Sequence, residues 1–187
     1  HSINLGDKAT FDRGILESRF YYEKTRHSMN FGDDKQFMYG DAPGMPMETD
    51  GKNIGASVKA ANLLSSRDIL RTGLEFQAYQ LDDWWPPSGT GMMMSPNTFE
   101  NINNGQRDRY ALFGEWESRW SEQWTTILGA RAELVRMNTG EVQGYSNTNG
   151  MGMMMHYYLA ESEAFNASDR KRDDENLDVT ALNRYTV

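Results

Sequence analysis

His27 and Met29 stand two residues apart in YYEKTRHSMN, and this is the spacing at which a strand puts two side chains on one face. An imidazole and a thioether so placed suit a soft metal ion. Thioether sulfur selects Cu(I), and imidazole serves either copper oxidation state. A thioether carries no charge, so it can hold an ion loosely and release it. Two ligands bind weakly, so the remainder of such a site has to come from elsewhere. The same spacing also fits an inward-facing His beside a Met that only fills space.

Nine of the 12 methionines form three short groups: Met45 with Met47, Met92 with Met93 and Met94, and Met151 with Met153, Met154 and Met155. His156 closes the third group. Methionine usually fills cores. Here its neighbours are Gly, Asn, Pro and Ser, which is no core pattern. These groups are read as loops, where the backbone can converge residues that one strand face cannot. A lid without a ligand role stays open beside a copper-capturing role. There is no cysteine, which removes disulfides, thiolate metal sites and thiol nucleophiles together. The three histidines lie far apart and no Ser or Asp motif surrounds them, so no catalytic arrangement stands out. The acidic residues around 33–50 and 173–175 lack EF-hand spacing. Solvated charge, or divalent bridging to lipopolysaccharide, is the simpler account of them.

The elements that must position these residues read as strands. In Arg107 to Met137, Tyr110, Leu112, Gly114, Trp116 and Trp120 share one face. Arg109, Glu115, Glu117 and Arg119 share the other, with Ala111 and Phe113. After a short turn at 121–123, Trp124, Thr126, Leu128, Ala130, Ala132 and Leu134 share a face opposite Ile127, Gly129, Arg131 and Glu133. Period-two patterning marks strands with two environments. Apolar residues outward, charges inward and aromatics near the strand ends are the requirements of a membrane β-barrel. Leu16 to Met29, Asn53 to Leu64, Ile69 to Gln80 and Asn176 to Val187 repeat the pattern, and His1 to Thr10 reads as the end of another strand.

Connections alternate in length. Those at 12–14, 65–68 and 121–123 are short, and those at about 32–51, 81–106 and 138–175 are long. Outer-membrane barrels have this asymmetry, with the long loops outside, so all three Met groups fall on the outer side. The predicted fold is an all-β, antiparallel, up-and-down transmembrane barrel segment of about seven strands. Bacterial barrels close with an even number from eight upward. The 187 residues therefore read as part of one barrel domain of a longer protein. The hydrophobic fraction of 38% and mean hydropathy of −0.75 exclude a helical membrane protein but not a barrel, whose inner face is polar. A net charge of −8 argues against a nucleic-acid partner.

The order of pieces resembles the middle of a TonB-dependent outer-membrane receptor. The resemblance is carried by Gly73-Leu74-Glu75 in DILRTGLEFQAYQLDDWW, then by Trp120 and Leu128-Gly129-Ala130-Arg131 after a long loop, then by ENLDVTALNRYTV. The Met content and YYEKTRHSMNFG are similar to the copper receptor branch, whose members carry a His-x-Met pair at the upper end of a barrel strand and a Cys/Met pair in a plug domain. The resemblance implies a barrel of roughly 22 strands, with the plug and the TonB box outside this chain. It implies a bacterial outer-membrane location, with outer-membrane lipid and lipopolysaccharide around the barrel. It also implies coupling to the TonB energy complex, and copper as transported substrate. The expected ligands are His27 and Met29, with Met92, Met93, Met94, Met153, Met154, Met155 and His156 capturing the ion in the loops. Three other readings remain. A siderophore or metal-chelate receptor would use Trp84, Trp85, Tyr157 and Tyr158. A soluble copper-sequestering module would need polar outer strand faces. An outer-membrane enzyme would need a convergent acid/base or nucleophile set.

Overall fold

The computed structural model describes residues 1–30, 46–87, 97–144 and 153–186, with the backbone alone over 153–159. Seven strands form one antiparallel sheet in sequence order. They are β1 (Ser2–Phe11), β2 (Gly14–Met29), β3 (Met47–Leu63), β4 (Asp68–Trp85), β5 (Phe99–Arg119), β6 (Trp124–Asn138) and β7 (Arg172–Tyr185). A helix, α1 (Met153–Ala167), lies in the connection from β6 to β7. Every strand pairs with its chain neighbours alone, so the topology is up-and-down. The architecture is all-β, an open stretch of barrel wall. No helix among the described residues is long and apolar enough to cross a membrane.

The register sorts every strand residue onto one of two faces. Val58, Leu74, Leu112 and Ala132 are successive cross-strand partners, and Leu177 follows as the partner of Ala132. Rows above and below them add Phe20, Ala56, Phe76, Tyr110, Leu134, Val179 and Ala181. Leu112 is 57% exposed, Leu74 60% and Val179 74%, although each lies in a strand interior. No sealed apolar core forms behind them; among the described residues only Ala111 and Val135 are buried hydrophobics. A sheet with large apolar side chains facing outward is stable when its solvent is lipid. From Leu70 to Ala78 the apolar run covers about 26 Å of strand at ~3.3 Å per residue. At a tilt near 40° that is about 20 Å of membrane depth.

The opposite face carries ions in ordered pairs. Arg71 donates to Glu115 and Glu117, both at 2.8 Å, and Arg119 donates to Glu117 at 3.0 Å. One carboxylate higher, Glu75 accepts from Arg131 at 2.8 Å and lies 3.5 Å from Lys59 and 3.7 Å from Arg109. Glu133 closes this second cluster through Arg109 and Arg131. A charged ladder across β3 to β6 belongs on the wet inner face of a barrel. Two close glycine–aromatic pairs sit within it. A Cβ on Gly73 would stand 2.2 Å from the Phe113 ring, and one on Gly55 2.1 Å from Tyr21. Each glycine accepts the ring of its cross-strand partner.

At the lower end, Trp116, Trp120 and Trp124 cluster with ring centroids 6.1 and 6.4 Å apart. Arg67 lies over the Trp120 ring at 4.7 Å. The indole of Trp120 donates to Thr126, whose hydroxyl donates to Asn183. Amphipathic rings clustered at this level, with the Trp120 N–H satisfied, form the girdle expected at a membrane–water boundary.

The strands run higher than the sequence pattern indicates. β3 begins at Met47, β4 ends at Trp85 and β5 begins at Phe99. The long connections therefore shrink to about 30–46, 86–98 and 139–171, and the last of these contains α1. With 21 residues, β5 is about 70 Å long at ~3.3 Å per residue, more than twice what a bilayer requires. Its upper half stands above the lipid, where both faces are wet and alternation no longer marks a strand.

Candidate metal-binding rim

His27 and Met29 share the inner face at the top of β2, as their spacing requires. Across the β2–β3 ladder, His27 pairs with Thr49 and Met29 pairs with Met47. Met47, expected in a loop, is thus a strand residue whose backbone is fixed opposite Met29. Opposed residues have Cβ atoms about 4.5–5.5 Å apart, so two thioethers and one imidazole share one corner of the rim. Met29 is 40% exposed. Thr49 donates to Asp83 at 2.7 Å, so the polar row continues from His27 to β4. On the same face, Trp85 stacks on Phe99 at 5.1 Å.

The sequence marks Met47 as one of a methionine pair but not as a strand residue, because the polar run METDGKN hides period two. Counting back in twos from Asn53, through Gly51 and Thr49, reaches it.

Met92, Met93 and Met94 lie outside the described residues, as do Met45 and Met151. Met153, Met154, Met155 and His156 form the first turn of α1, where a loop was expected. The helix has a geometric consequence. A helix rotates about 100° per residue, so four consecutive positions fan around the axis instead of converging. Positions 153 and 156, three apart, lie on one side.

The far end of α1 is clamped. The Asn166 side-chain amide accepts from the Val142 N–H and donates to the Val142 carbonyl, both at 2.8 Å. It does for Val142 what a neighbouring strand would. Arg170 donates to the carbonyls of Thr139 and Asn166. Segment 139–143 is itself pinned to β5. Gly140 donates to Asn103, and Gln143 and Glu100 exchange backbone hydrogen bonds. Asn104 supports this corner with φ 48°, its N–H bonded to Asp82 at 2.6 Å beside a β-bulge in β4–β5.

The described residues contain no cluster of three or more His, Cys, Asp or Glu able to hold a metal ion. At the opposite end, Asp68 begins β4 in the short turn outside the membrane-spanning part. The Ser118 hydroxyl beside it and the Ser65 hydroxyl, bonded at 2.6 Å, hold its carboxyl down at about 2.

The sheet, its outer face and its ionic inner face define the wall of a membrane β-barrel. No family model matches the chain, and no curated protein does. Among solved structures it superposes on the copper transporter OprC with a TM-score of 0.66 at 16% identity. That likeness covers 100% of this chain and 27% of that one, so the chain spans about a quarter of that protein's length.

Proposed function

We propose that this chain is a stretch of the barrel of a TonB-dependent transporter that imports copper across the bacterial outer membrane. In this reading it is one part of a single barrel domain. The plug, the remaining strands and the contact with the TonB complex lie in the rest of the protein. The protein carries its ion unchanged and is not an enzyme. Copper is its substrate, and lipid and lipopolysaccharide surround its outer face.

The observation that supports this best is the pairing of Met29 with Met47 beside His27, on the inner face of a wall shaped like part of a copper transporter. Soft neutral sulfur holds Cu(I) without the charge that would trap it. His27 adds a stronger ligand that can accept either oxidation state. The plug would supply the remaining ligands. Met92, Met93, Met94, Met153, Met154, Met155 and His156 would raise the local ion concentration above this rim, with Met153 and His156 on one side of α1. A chelate receptor would leave the convergence of sulfur at this corner without a purpose. A soluble module would not leave Leu74, Leu112 and Val179 facing outward.

The test is His27→Ala with Met29→Ala in the full-length protein. Copper-dependent uptake and bound copper should fall at least tenfold, and Met47→Leu alone should weaken binding by a smaller factor. Wild-type uptake and binding in the double variant would refute the site.

A further inference from the structure

The outer face changes character abruptly above the apolar band. Going up β2, the outward residues are Leu16, Ser18, Phe20 and Tyr22, and then Lys24. Going up β3 they are Ala60, Val58, Ala56 and Ile54, and then Lys52. Lys24 and Lys52 are direct cross-strand partners, so two lysines stand opposite each other at the first polar level above lipid. Like charges directly opposed across a ladder are unfavourable. Both residues are exposed, and neither forms an ion pair among the described residues. The next cation up the same face, Arg26, is already engaged by Asp50 at 3.7 Å and Glu48 at 4.0 Å. Lys24 and Lys52 have no such carboxylate partner among the described residues.

An apolar hollow opens on the same face, four to six residues below Lys52. Its lining includes Ala56, Val58, Leu74, Phe76 and Leu112. It takes two rows of outward residues and one intervening row, which sets it on the lipid side. Four residues of strand are about 13 Å, within the reach of a fatty acyl chain whose headgroup sits at Lys52.

We propose that Lys24 and Lys52 form a docking site for the phosphate of an outer-leaflet lipid whose acyl chains fill the hollow below. A phosphate carries the charge that two opposed ammonium groups lack, and its oxygens can accept from both. Elsewhere on the belt the outward cation Arg136 stands between the carboxylates of its two cross-strand partners, Asp108 and Asp173, and Asp82 and Glu175 add further negative charge. That charge repels phosphate elsewhere and leaves this corner as the preferred seat. The site rests on the outer face being lipid-facing and is independent of copper.

The test uses the full-length protein in non-ionic detergent, with native mass spectrometry counting bound bisphosphorylated lipid A, its dephosphorylated form, and inorganic phosphate. Each lysine near a membrane phosphate contributes about 1 kcal/mol. Lys24→Gln with Lys52→Gln should therefore weaken bisphosphorylated lipid A about 30-fold, at 1.4 kcal/mol per tenfold. Binding of the dephosphorylated form should not change, and Lys24→Arg with Lys52→Arg should bind like wild type. Without lipid, the glutamine variant should unfold no earlier than wild type, because a repulsive pair has been removed. Unchanged lipid A binding in the folded glutamine variant would overturn the site, as would inorganic phosphate binding as tightly as the lipid. Failure of the wild type to retain any lipid would instead undo the lipid-facing reading itself.

Discussion

Replacing Leu112 with arginine should cost the full-length barrel about 2–4 kcal/mol, the value for a cation at the bilayer midplane of a barrel. The position follows from the sheet. Leu112 lies four residues below Asp108, the first charged outward residue on β5, and six residues above Ser118. At ~3.3 Å per residue and a tilt near 40°, these are about 10 Å and 15 Å of depth, which together match a band about 25 Å tall. Arginine at Tyr110, halfway to the boundary, should cost about 1–2 kcal/mol, and arginine at Asp108 about 0–1 kcal/mol. The assay is guanidinium unfolding of the full-length protein in phosphatidylcholine vesicles, followed by tryptophan fluorescence. The informative quantity is the gradient along one outward row. Equal costs at 112 and 108, or a cost below about 1 kcal/mol at 112, would show that this face does not meet hydrocarbon. The inward and outward assignment would then collapse with it.

Asn166→Ala removes two hydrogen bonds to Val142, worth about 1–3 kcal/mol of local stability. It should raise hydrogen exchange in α1 while leaving β6 protected. Arg71→Met leaves Glu117, whose side chain is 10% exposed, with Arg119 as its remaining ionic partner. Because Arg71 itself is partly solvated, the expected loss is about 1–2 kcal/mol, read from the unfolding midpoint. Adding Glu117→Gln should restore part of it. Asp68 has a folded pKa held down at about 2, below its ordinary value near 4. Its contribution is complete above pH 4 and is lost as pH falls towards 2. Wild type should therefore lose stability over that interval, and Asp68→Asn should lose less; identical acid profiles would remove Asp68 from the account.

Within the membrane, the sequence is read easily because one physical rule governs each residue. Lipid on one side and water on the other impose period two, and Leu112, Glu115, Leu128 and Arg131 each obey it. Above the membrane both faces are wet and the rule lapses. METDGKN and FENINNGQ then look like loops although they are strands, held by backbone pairing and by polar side-chain bonds such as Thr49 to Asp83. The helix at 153–167 escaped notice for a related reason, since no apolar stripe marks it. Its described anchorage comes through Asn166 and Arg170, which bind backbone groups more than 20 residues away.

Chain order alone determined the faces, the short turns, the tryptophan girdle and the pairing of His27 with Met29 on one side of a strand. These depend on neighbours two residues apart. The tertiary structure decided what depends on lateral register: Met47 opposite Met29, Lys52 opposite Lys24, the Arg71–Glu117 and Arg131–Glu75 bonds, and the amide clamp on α1. Register is a relation between strands, fixed by the whole ladder and by turn length. No single stretch of sequence contains it.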